Sequence, residues 1–380
     1  MRLKPLVAAS VLAGVYFAFT VFVISGLPHD LVIEAEAPFN AQAQSVWRAN
    51  TPLFFHAGGE TWLQPVAVYS NAALHAIASP GRVASAIVGA VDVALVFLIA
   101  HAIGGTGWAA FAAAITLVFT LGHLGLAMLA TDAIFPAAFV LLWLHGVQRF
   151  LKWDSPRALY GAAAALGLCI YAHPAGPLTA VFLWMLTLAV AWRRNRIRLA
   201  AASLVFALMW TPAAAWFFLH PGTYPDTFGR WFIFAPHLRN PLDGIRAFFN
   251  ANTLGTRASL YWGFWDPSWL FFSAGDSRAP LLLLAAPFML FAIVRARFIS
   301  RDVMTVLIGA VVTVPLAGAT FGAPHYMQQA SPIMPLLAIL SGLGADQLVA
   351  VITRRRQPLE DDVPVAGVEG WHDDDALPRS

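Results

Sequence analysis

Charged residues are scarce in this sequence. Only 11% of its 380 residues are charged, whereas an average soluble domain has about 25%. Hydrophobic residues make up 59% of the chain, more than one soluble core of this size can bury. The sequence therefore predicts a chain for which the lipid bilayer is the main solvent. The net charge of +3 is also too small to indicate a nucleic-acid partner.

Cysteine and cofactor motifs are nearly absent as well. The one cysteine, Cys169, lies in an apolar run, which excludes an internal disulfide bond. The sequence contains no phosphate-binding glycine loop, no glycine motif for nucleotides and no residues with the spacing of metal ligands. We therefore assign no cofactor, although a divalent cation stays open. Any activated substrate is expected to be assembled elsewhere.

Apolar runs long enough to cross a membrane recur along the chain. They cover residues 5–26, 84–103, 107–129, 133–149, 158–174, 176–192, 198–219, 279–296, 303–321 and 328–350. The first run follows Arg2 and Lys4 and is longer than the core of a signal peptide, which indicates an uncleaved first span. The expected fold class is an all-α polytopic membrane protein with about ten transmembrane helices. Two extracytoplasmic loops would carry interfacial helices.

Basic residues set the expected orientation, because Lys and Arg favour the cytoplasmic side. They form five clusters: Arg2 and Lys4; Arg149, Lys152 and Arg157; Arg193, Arg194, Arg196 and Arg198; Arg295, Arg297 and Arg301; Arg354, Arg355 and Arg356. With ten spans, every cluster and both termini fall inside a plasma membrane, as in a bacterial inner membrane. Residues 62–79 are moderately apolar, but counting them as a span would place the next three clusters outside. We therefore expect a helix lying along the outer surface there.

This topology divides the chain into two parts. Residues 1–352 form a multi-span membrane domain with outer loops at 27–83 and 220–278. Residues 353–380 contain seven of the twenty acidic residues of the chain and are expected to be a disordered cytoplasmic tail.

The first outer loop carries the carboxylates Asp30, Glu34 and Glu36. Carboxylates beside a membrane are costly unless they are solvated, paired or used. Two interpretations stay open: a solvated linker, or a catalytic base that activates an acceptor hydroxyl. The loop continues with Arg48 and with aromatic, proline and polar residues over 52–69, including His56, which suit a surface-lying hairpin.

The second outer loop interleaves arginines with aromatic residues. Arg230, Arg257 and Arg278 are among these arginines, and they oppose the usual bias of basic residues towards the cytoplasm. A guanidinium group matches the oxygens of a phosphate, so these residues indicate a phosphate ligand. Ordinary anchoring to lipid headgroups is the alternative.

Further polar residues that are candidates for a function lie in short outer turns and inside the spans. Asp132 lies in a tight outer turn, where a solubilising role is hard to justify, so substrate alignment or metal binding is expected. His173 and His325 lie in other outer turns. Asp92 lies inside the second span with no basic residue expected at the same depth, which predicts a protonated, hydrogen-bonded carboxyl. His123 is expected to be a satisfied packing residue.

Several stretches taken together resemble the GT-C glycosyltransferases, in particular the protein O-mannosyltransferase and aminoarabinose-transferase-like branch. They are EAEAPFNA at 34–41, PLFFH to WLQPVAVY at 52–69, the arginine-led run at 82–105, LATDAIFPAAFVLLWL at 129–144, GDSR at 275–278 and PHYMQQASPIMP at 324–335. Their order and spacing over about 320 residues carry the resemblance.

The resemblance implies transfer of a sugar from a polyprenyl-phosphate donor to an extracytoplasmic acceptor, by inverting displacement. Matched by position, Glu34 and Asp132 fall on acidic residues of the family, and Arg278 falls on a contact to the carrier phosphate. Together with the loop residues described above, the candidate catalytic residues are Glu34, Glu36, Asp30 and Asp132. The candidates for binding substrate or carrier phosphate are Arg48, His56, His173, Arg230, Arg257, Arg278 and His325. The leading aspartate of the family falls on Ile33 here, so the identity of the base stays open and activity could be altered or lost. A transporter or flippase of a lipid-linked sugar and a non-catalytic membrane scaffold are the alternatives.

Overall fold

The protein is a bundle of membrane helices whose connections at one end are layered with short helices and a β-hairpin. The computed structural model describes residues 4–26, 34–48, 51–57, 62–74, 80–220, 251–272, 281–296, 299–321 and 331–356. The expectations that fall on Asp30, Arg230, Arg278, His325 and the tail beyond Arg356 lie outside these residues.

Helices account for nearly all of the described elements. The first six are α1 (Pro5–Ser25), α2 (Ala37–Trp47), α3 (Pro65–Ala73), α4 (Pro80–Gly104), α5 (Gly107–Val118) and α6 (Leu121–Ala127). The next five are α7 (Phe135–Trp153), α8 (Pro156–Cys169), α9 (Gly176–Ala191), α10 (Arg196–Met209) and α11 (Thr211–Leu219). The last five are α12 (Ala251–Gly263), α13 (Pro267–Phe271), α14 (Ala285–Val294), α15 (Arg301–Phe321) and α16 (Ile333–Arg356).

Each of the ten predicted apolar runs coincides with a helix or a helix pair, which confirms a polytopic helical membrane protein. Within the described part of the chain, five helical segments are long and apolar enough to cross a membrane, with α10 and α11 counted together as one, and the bent pair α5–α6 would make a sixth. Helices α9 and α14 are apolar but shorter. Two predicted boundaries moved: the run at 279–296 is helical as α14, from Ala285 to Val294, and the last helix extends to Arg356, past the boundary predicted at 352.

The structure describes residues 62–74 of the stretch 62–79, and this part does not span. It forms a short strand and the nine-residue helix α3, which is about 14 Å long and therefore far shorter than the bilayer core. Strand β2 (Trp62–Leu63) pairs antiparallel with β1 (Phe55–His56), with His56 opposite Trp62. The hairpin and surface helix predicted for the first loop are therefore present.

The described members of the basic clusters lie together at one end of the bundle, named here the basic end. Lys152 donates to the carbonyl of Ala102 near the end of α4 (3.1 Å), and Arg194 donates to the carbonyl of Leu151 (2.6 Å). Arg194 also pairs with Asp302 at 2.5 Å, which brings the start of α15 to the same end.

Two further contacts place the start of α1 and the C-terminal part of α16 at the basic end. Near its C-terminal end, Ile24 of α1 packs against Ala86, close to the start of α4, so α1 and α4 are antiparallel and Lys4 lies beside the end of α4. Asp346 of α16 accepts a 2.5 Å hydrogen bond from Thr106, which caps the start of α5. The opposite end, named here the loop end, carries α2, α3, the hairpin and the 128–134 and 170–175 connections.

Close helix contacts in the bundle depend on glycine at α16. A Cβ added at Gly342 would collide with the backbone carbonyl of Ala109, and one added at Gly344 would collide with that of Phe288. Helix α16 therefore packs backbone to backbone against α5 and α14, the kind of contact that small residues permit between membrane helices.

Candidate functional site

The first loop folds into a compact layer at the loop end. Gln42 Nε2 donates to the carbonyl of His56 (2.8 Å), and Tyr69 Oη donates to the carbonyl of Pro52 (2.8 Å). Trp47 Nε1 donates to the carbonyl of Ala72 (2.9 Å), joining α2 to α3. These bonds tie the hairpin and both helices to one another, so the layer can hold side chains at fixed positions.

Glu36 is the centre of a buried ion pair beneath this layer. Its carboxylate accepts two hydrogen bonds from Arg82, from Nε to Oε1 at 3.0 Å and from Nη2 to Oε2 at 2.7 Å. Oε1 also accepts the backbone N–H of Ala130 at 2.7 Å. Glu36 is 2% exposed and Arg82 is 7% exposed. The geometry is the two-pronged fork that arginine and carboxylate favour, and it joins loop one to α4 and to the turn before α7.

These hydrogen bonds distinguish Glu36 from Glu34 and Asp30 as a candidate catalytic base. Both oxygens of Glu36 are occupied by donors, so the group is well placed to hold structure and poorly placed to take a proton from a substrate. Glu34 lies two residues earlier, in the single 3-10 turn that leads into α2. The proposed roles of Glu34 and Asp30 stay predictions.

Asp132 is brought to the same corner as Glu36. It lies half-buried in the turn between α6 and α7, two residues after the Ala130 N–H that binds Glu36. Its backbone carbonyl accepts the N–H of Phe135 (3.3 Å), which starts α7. The turn that carries Asp132 is thus bound to Glu36 through the backbone N–H of Ala130. The sequence suggested both residues but gave no sign that Ala130 connects them.

His173 lies in the neighbouring connection, between α8 and α9. Its Nδ1 accepts the backbone N–H of Ala175 (3.1 Å), which leaves the ring proton of the neutral form on Nε2. The carbonyl of Tyr171 accepts the N–H of Val66 at the start of α3 (3.2 Å). The Tyr171 hydroxyl donates to the carbonyl of Met209 at the α10–α11 junction (2.8 Å). His173 is therefore rigidly placed beside the loop-one layer.

An aromatic series extends across the same end. The rings of His56 and Trp62 are 4.8 Å apart, those of Trp62 and Trp216 are 5.3 Å apart, and those of Trp216 and His220 are 4.6 Å apart. Phe54 packs against Trp216 at 5.0 Å. The sequence pointed to His56 but missed Trp216, because an aromatic residue near the end of an apolar run does not show which loop it will contact.

The arginines expected to bind phosphate are divided by the structure. Arg48 is exposed at the end of α2. Arg257 is 8% exposed on α12, and desolvation lowers the pKa of its guanidinium from the ordinary value. Helix α12 packs against α15, with the Tyr261 hydroxyl donating to the carbonyl of Val312 (3.2 Å). In the described residues, no group of three or more His, Cys, Asp or Glu side chains could hold a metal ion.

A second polar group lies deep between the spans. The Tyr16 hydroxyl of α1 is 3.0 Å from Nδ1 of His123, and Nε2 of His123 is 3.2 Å from Oδ2 of Asp92. All three side chains are at most 1% exposed. The expectation that no basic residue shares the depth of Asp92 is therefore wrong. Helix α6 is short and bent by 65° from α5, and this bend turns the His123 ring towards α4.

Comparison with known proteins bears on the fold. No family model matches the sequence, and no curated protein matches it. The structure of ArnT from Cupriavidus metallidurans bound to undecaprenyl phosphate aligns over 91% of this chain and 63% of its own length, with a TM-score of 0.60 and 15% identity. The apo structure of the same ArnT aligns over 90% and 61%, with a TM-score of 0.60 and 17% identity. The chain has the fold of ArnT.

The likeness to ArnT is limited both in the length it covers and in sequence identity. This chain spans less than two thirds of the length of ArnT, and at this level of identity the likeness shows the fold alone. The polytopic helical membrane fold expected from the sequence is confirmed by this likeness, and membership of the GT-C superfamily stays a prediction. The narrower assignment to one branch of that superfamily stays a prediction.

Proposed function

We propose that the chain is a membrane glycosyltransferase of GT-C type. It moves a sugar from a polyprenyl-phosphate donor to an extracytoplasmic acceptor, which is a glycan, a lipid or a protein. The observation that carries this proposal is the fold shared with ArnT over 91% of the chain, since that ArnT structure holds undecaprenyl phosphate. The acceptor and the sugar are left unassigned.

The arrangement of the two ends supports the proposal. The five basic clusters favour the cytoplasmic side, so the loop end faces outward and both termini lie inside. The acidic residues and the aromatic series then meet on the outer surface, at the level of a lipid-borne donor. A prenyl chain would lie against the apolar helices while its phosphate and sugar reach the loop end.

The proposed reaction is a single displacement at the anomeric carbon. A carboxylate takes the proton of the acceptor hydroxyl as its oxygen attacks that carbon, and the bond to the lipid phosphate breaks. Negative charge grows on the departing phosphate, where arginine side chains such as Arg257 stabilise it. Glu34, Asp30 and Asp132 are the proposed proton acceptors or aligning groups. Glu36 is proposed to hold the corner through Arg82 and Ala130.

One observation favours a different function, a transporter or flippase of the lipid-linked sugar. Discontinuous helices and intramembrane ionisable groups accompany binding sites in transporters. The bend between α5 and α6 and the pair formed by Asp92 and His123 fit that description. The glycosyltransferase remains the better proposal because the acidic and aromatic residues converge at one end instead of at mid-membrane.

The test is transfer by the purified protein in liposomes with radiolabelled polyprenyl-phosphate sugar and candidate acceptors. We expect label to leave the lipid, and Glu34→Ala or Asp132→Ala to lower the rate by about a hundredfold or more, as for loss of a general base. Asp302→Ala, which removes a carboxylate at the basic end, is the matched control and should keep the wild-type rate. Label that crosses the membrane on its lipid would indicate the transporter. Wild-type rates in both Glu34→Ala and Asp132→Ala would exclude the proposed site.

A further inference from the structure

The intramembrane hydrogen-bonded group of Tyr16, His123 and Asp92 has no role in the proposed reaction, yet it joins three helices. Tyr16 belongs to α1, Asp92 to α4 and His123 to α6. With Asp92 as acceptor, His123 donates through Nε2 and accepts the Tyr16 hydroxyl through Nδ1. Polar groups at this depth are rare in membrane helices, so three that meet need an explanation.

The hydrogen bonds are arranged to fix position. Oδ1 of Asp92 is buried and has no hydrogen-bond partner among the described residues, so the hydrogen-bonded series ends at that carboxyl. A proton relay would need a further polar group beyond it. Removal of any one member would leave the others unpaired in an apolar region, which makes the arrangement sensitive to small changes.

Helix α6 depends on these bonds more than an ordinary span would. It has seven residues and is separated from α5 by the bend at Phe119 and Thr120. Seven residues after His123, the backbone N–H of Ala130 binds Glu36. The deep anchor and the Glu36 contact therefore lie at the two ends of one short segment, residues 123–130.

The surface of α4 is shaped to receive that segment. A Cβ added at Gly89 would lie 2.9 Å from the Cβ of Ala127 and 3.0 Å from Cε1 of Tyr16. A Cβ added at Gly81 would lie 2.5 Å from the Cβ of Ala130. Glycine at both positions lets the whole segment lie directly on α4, between Asp92 at the deep end and Arg82 at the loop end.

We propose that Tyr16, His123 and Asp92 are positioning residues that hold segment 123–130 on α4 and thereby fix the Ala130–Asp132 turn against Glu36. The use of this turn in sugar transfer rests on the proposed function, whereas its docking does not. The hydrogen-bonded group lies about 15 Å along α4 from the Glu36 contact, because ten residues separate Asp92 from Arg82.

The test measures docking of the turn directly. Cys169 is replaced by alanine, and Thr131→Cys places a single thiol in the turn, where Thr131 is only 5% exposed. The rate of maleimide labelling then reports how often the turn opens. Tyr16→Phe, which removes one hydroxyl, and Asp92→Leu, which removes the acceptor of His123 Nε2, should each raise the rate by about fivefold or more, the effect of losing one buried hydrogen bond.

Thr187→Val is the matched control, because it also removes a buried bond between spans, the one that Trp143 Nε1 donates to Thr187 at 2.9 Å. The control should leave labelling of Thr131→Cys unchanged. Equal rates in all proteins, or an equal rise in the control, would overturn the proposal. If Asp92→Leu does not fold, Tyr16→Phe alone decides the result.

Activity adds a second readout that does not replace labelling. In the transfer assay, Tyr16→Phe should lower kcat while leaving KM for the lipid donor near the wild-type value, because the turn is displaced and the donor groove is not. Absent transfer in the wild-type protein would contradict the proposed function and leave the labelling result valid. Unchanged labelling with intact transfer would contradict the positioning role alone.

Discussion

Replacing Glu36 by glutamine tests whether the buried ion pair holds the loop end together. The amide keeps an oxygen for the N–H of Ala130 but removes the charge that faces Arg82. Arg82 then stays buried without its partner charge, and breaking one side of such a pair costs about 3–5 kcal/mol. The variant Glu36→Ala also loses the acceptor for Ala130, which adds about 1 kcal/mol.

The assay is thermal unfolding of the purified protein in detergent, followed with a double-variant cycle. Glu36→Gln, Glu36→Leu and Arg82→Met should each lower the midpoint by several degrees. Glu36→Leu combined with Arg82→Met should recover most of the loss, because an apolar pair removes both buried charges together. The expected coupling is about 2 kcal/mol or more, since the two side chains are in direct contact.

Two results would refute this reasoning. A Glu36→Gln protein as stable as the wild type would mean that the pair is not buried in the membrane-embedded protein. Strictly additive effects would mean that Glu36 and Arg82 stabilise different parts of the molecule. Asp302→Ala is the control, because it breaks an exposed pair with Arg194, which is worth about 1 kcal/mol or less.

Three further predictions concern single positions. Gly344→Ala should cost about 3 kcal/mol or more because its Cβ would meet the Phe288 carbonyl, whereas Gly14→Ala, with nothing within 4 Å, should be tolerated; the yield of folded protein compares them. Asp154 has φ of 51° after α7, so Asp154→Val should cost about 1–2 kcal/mol more than Asp154→Gly in thermal unfolding, and equal stability would contradict this. The Ser268 backbone N–H holds the pKa of Asp266 below its ordinary 3.8, so the cap stabilises α13 above that pH and is lost as pH falls through the lower folded value. The amides of residues 268–271 should lose protection from hydrogen exchange only under those acidic conditions, and Asp266→Ala should lack that protection at every pH.

The spans could be predicted because apolar length and basic clustering act over many residues. Each cluster added independent weight to the same orientation, and the short helix α3 confirmed that residues 62–74 do not form a span. The contacts of Arg194 and Lys152 then brought the clusters to one end without any reference to a membrane. Gly342 and Gly344 gave no comparable signal, because a glycine contact depends on which helix lies opposite.

The site could be predicted only as a set of residue types. Glu36 and Asp132 were suggested by their unfavourable placement, but their connection passes through the backbone N–H of Ala130, which no side-chain pattern encodes. His123 was taken for packing because its partner, Asp92, lies 31 residues away on another span. Long-range pairing of this kind follows from helix packing and not from local sequence, so it became visible only in the structure.

Extracytoplasmic sugar transfer requires that the loop end faces outward and the basic end faces the cytoplasm. Single-cysteine variants in the Cys169→Ala background test it with a membrane-impermeant maleimide applied to intact cells. Ala35→Cys, at an exposed position in loop one, should be labelled in intact cells. Arg193→Cys, at the basic end, should be labelled only after the membrane is permeabilised. Labelling of Arg193→Cys in intact cells, with Ala35→Cys protected, would contradict the orientation and the extracytoplasmic transfer proposed from it.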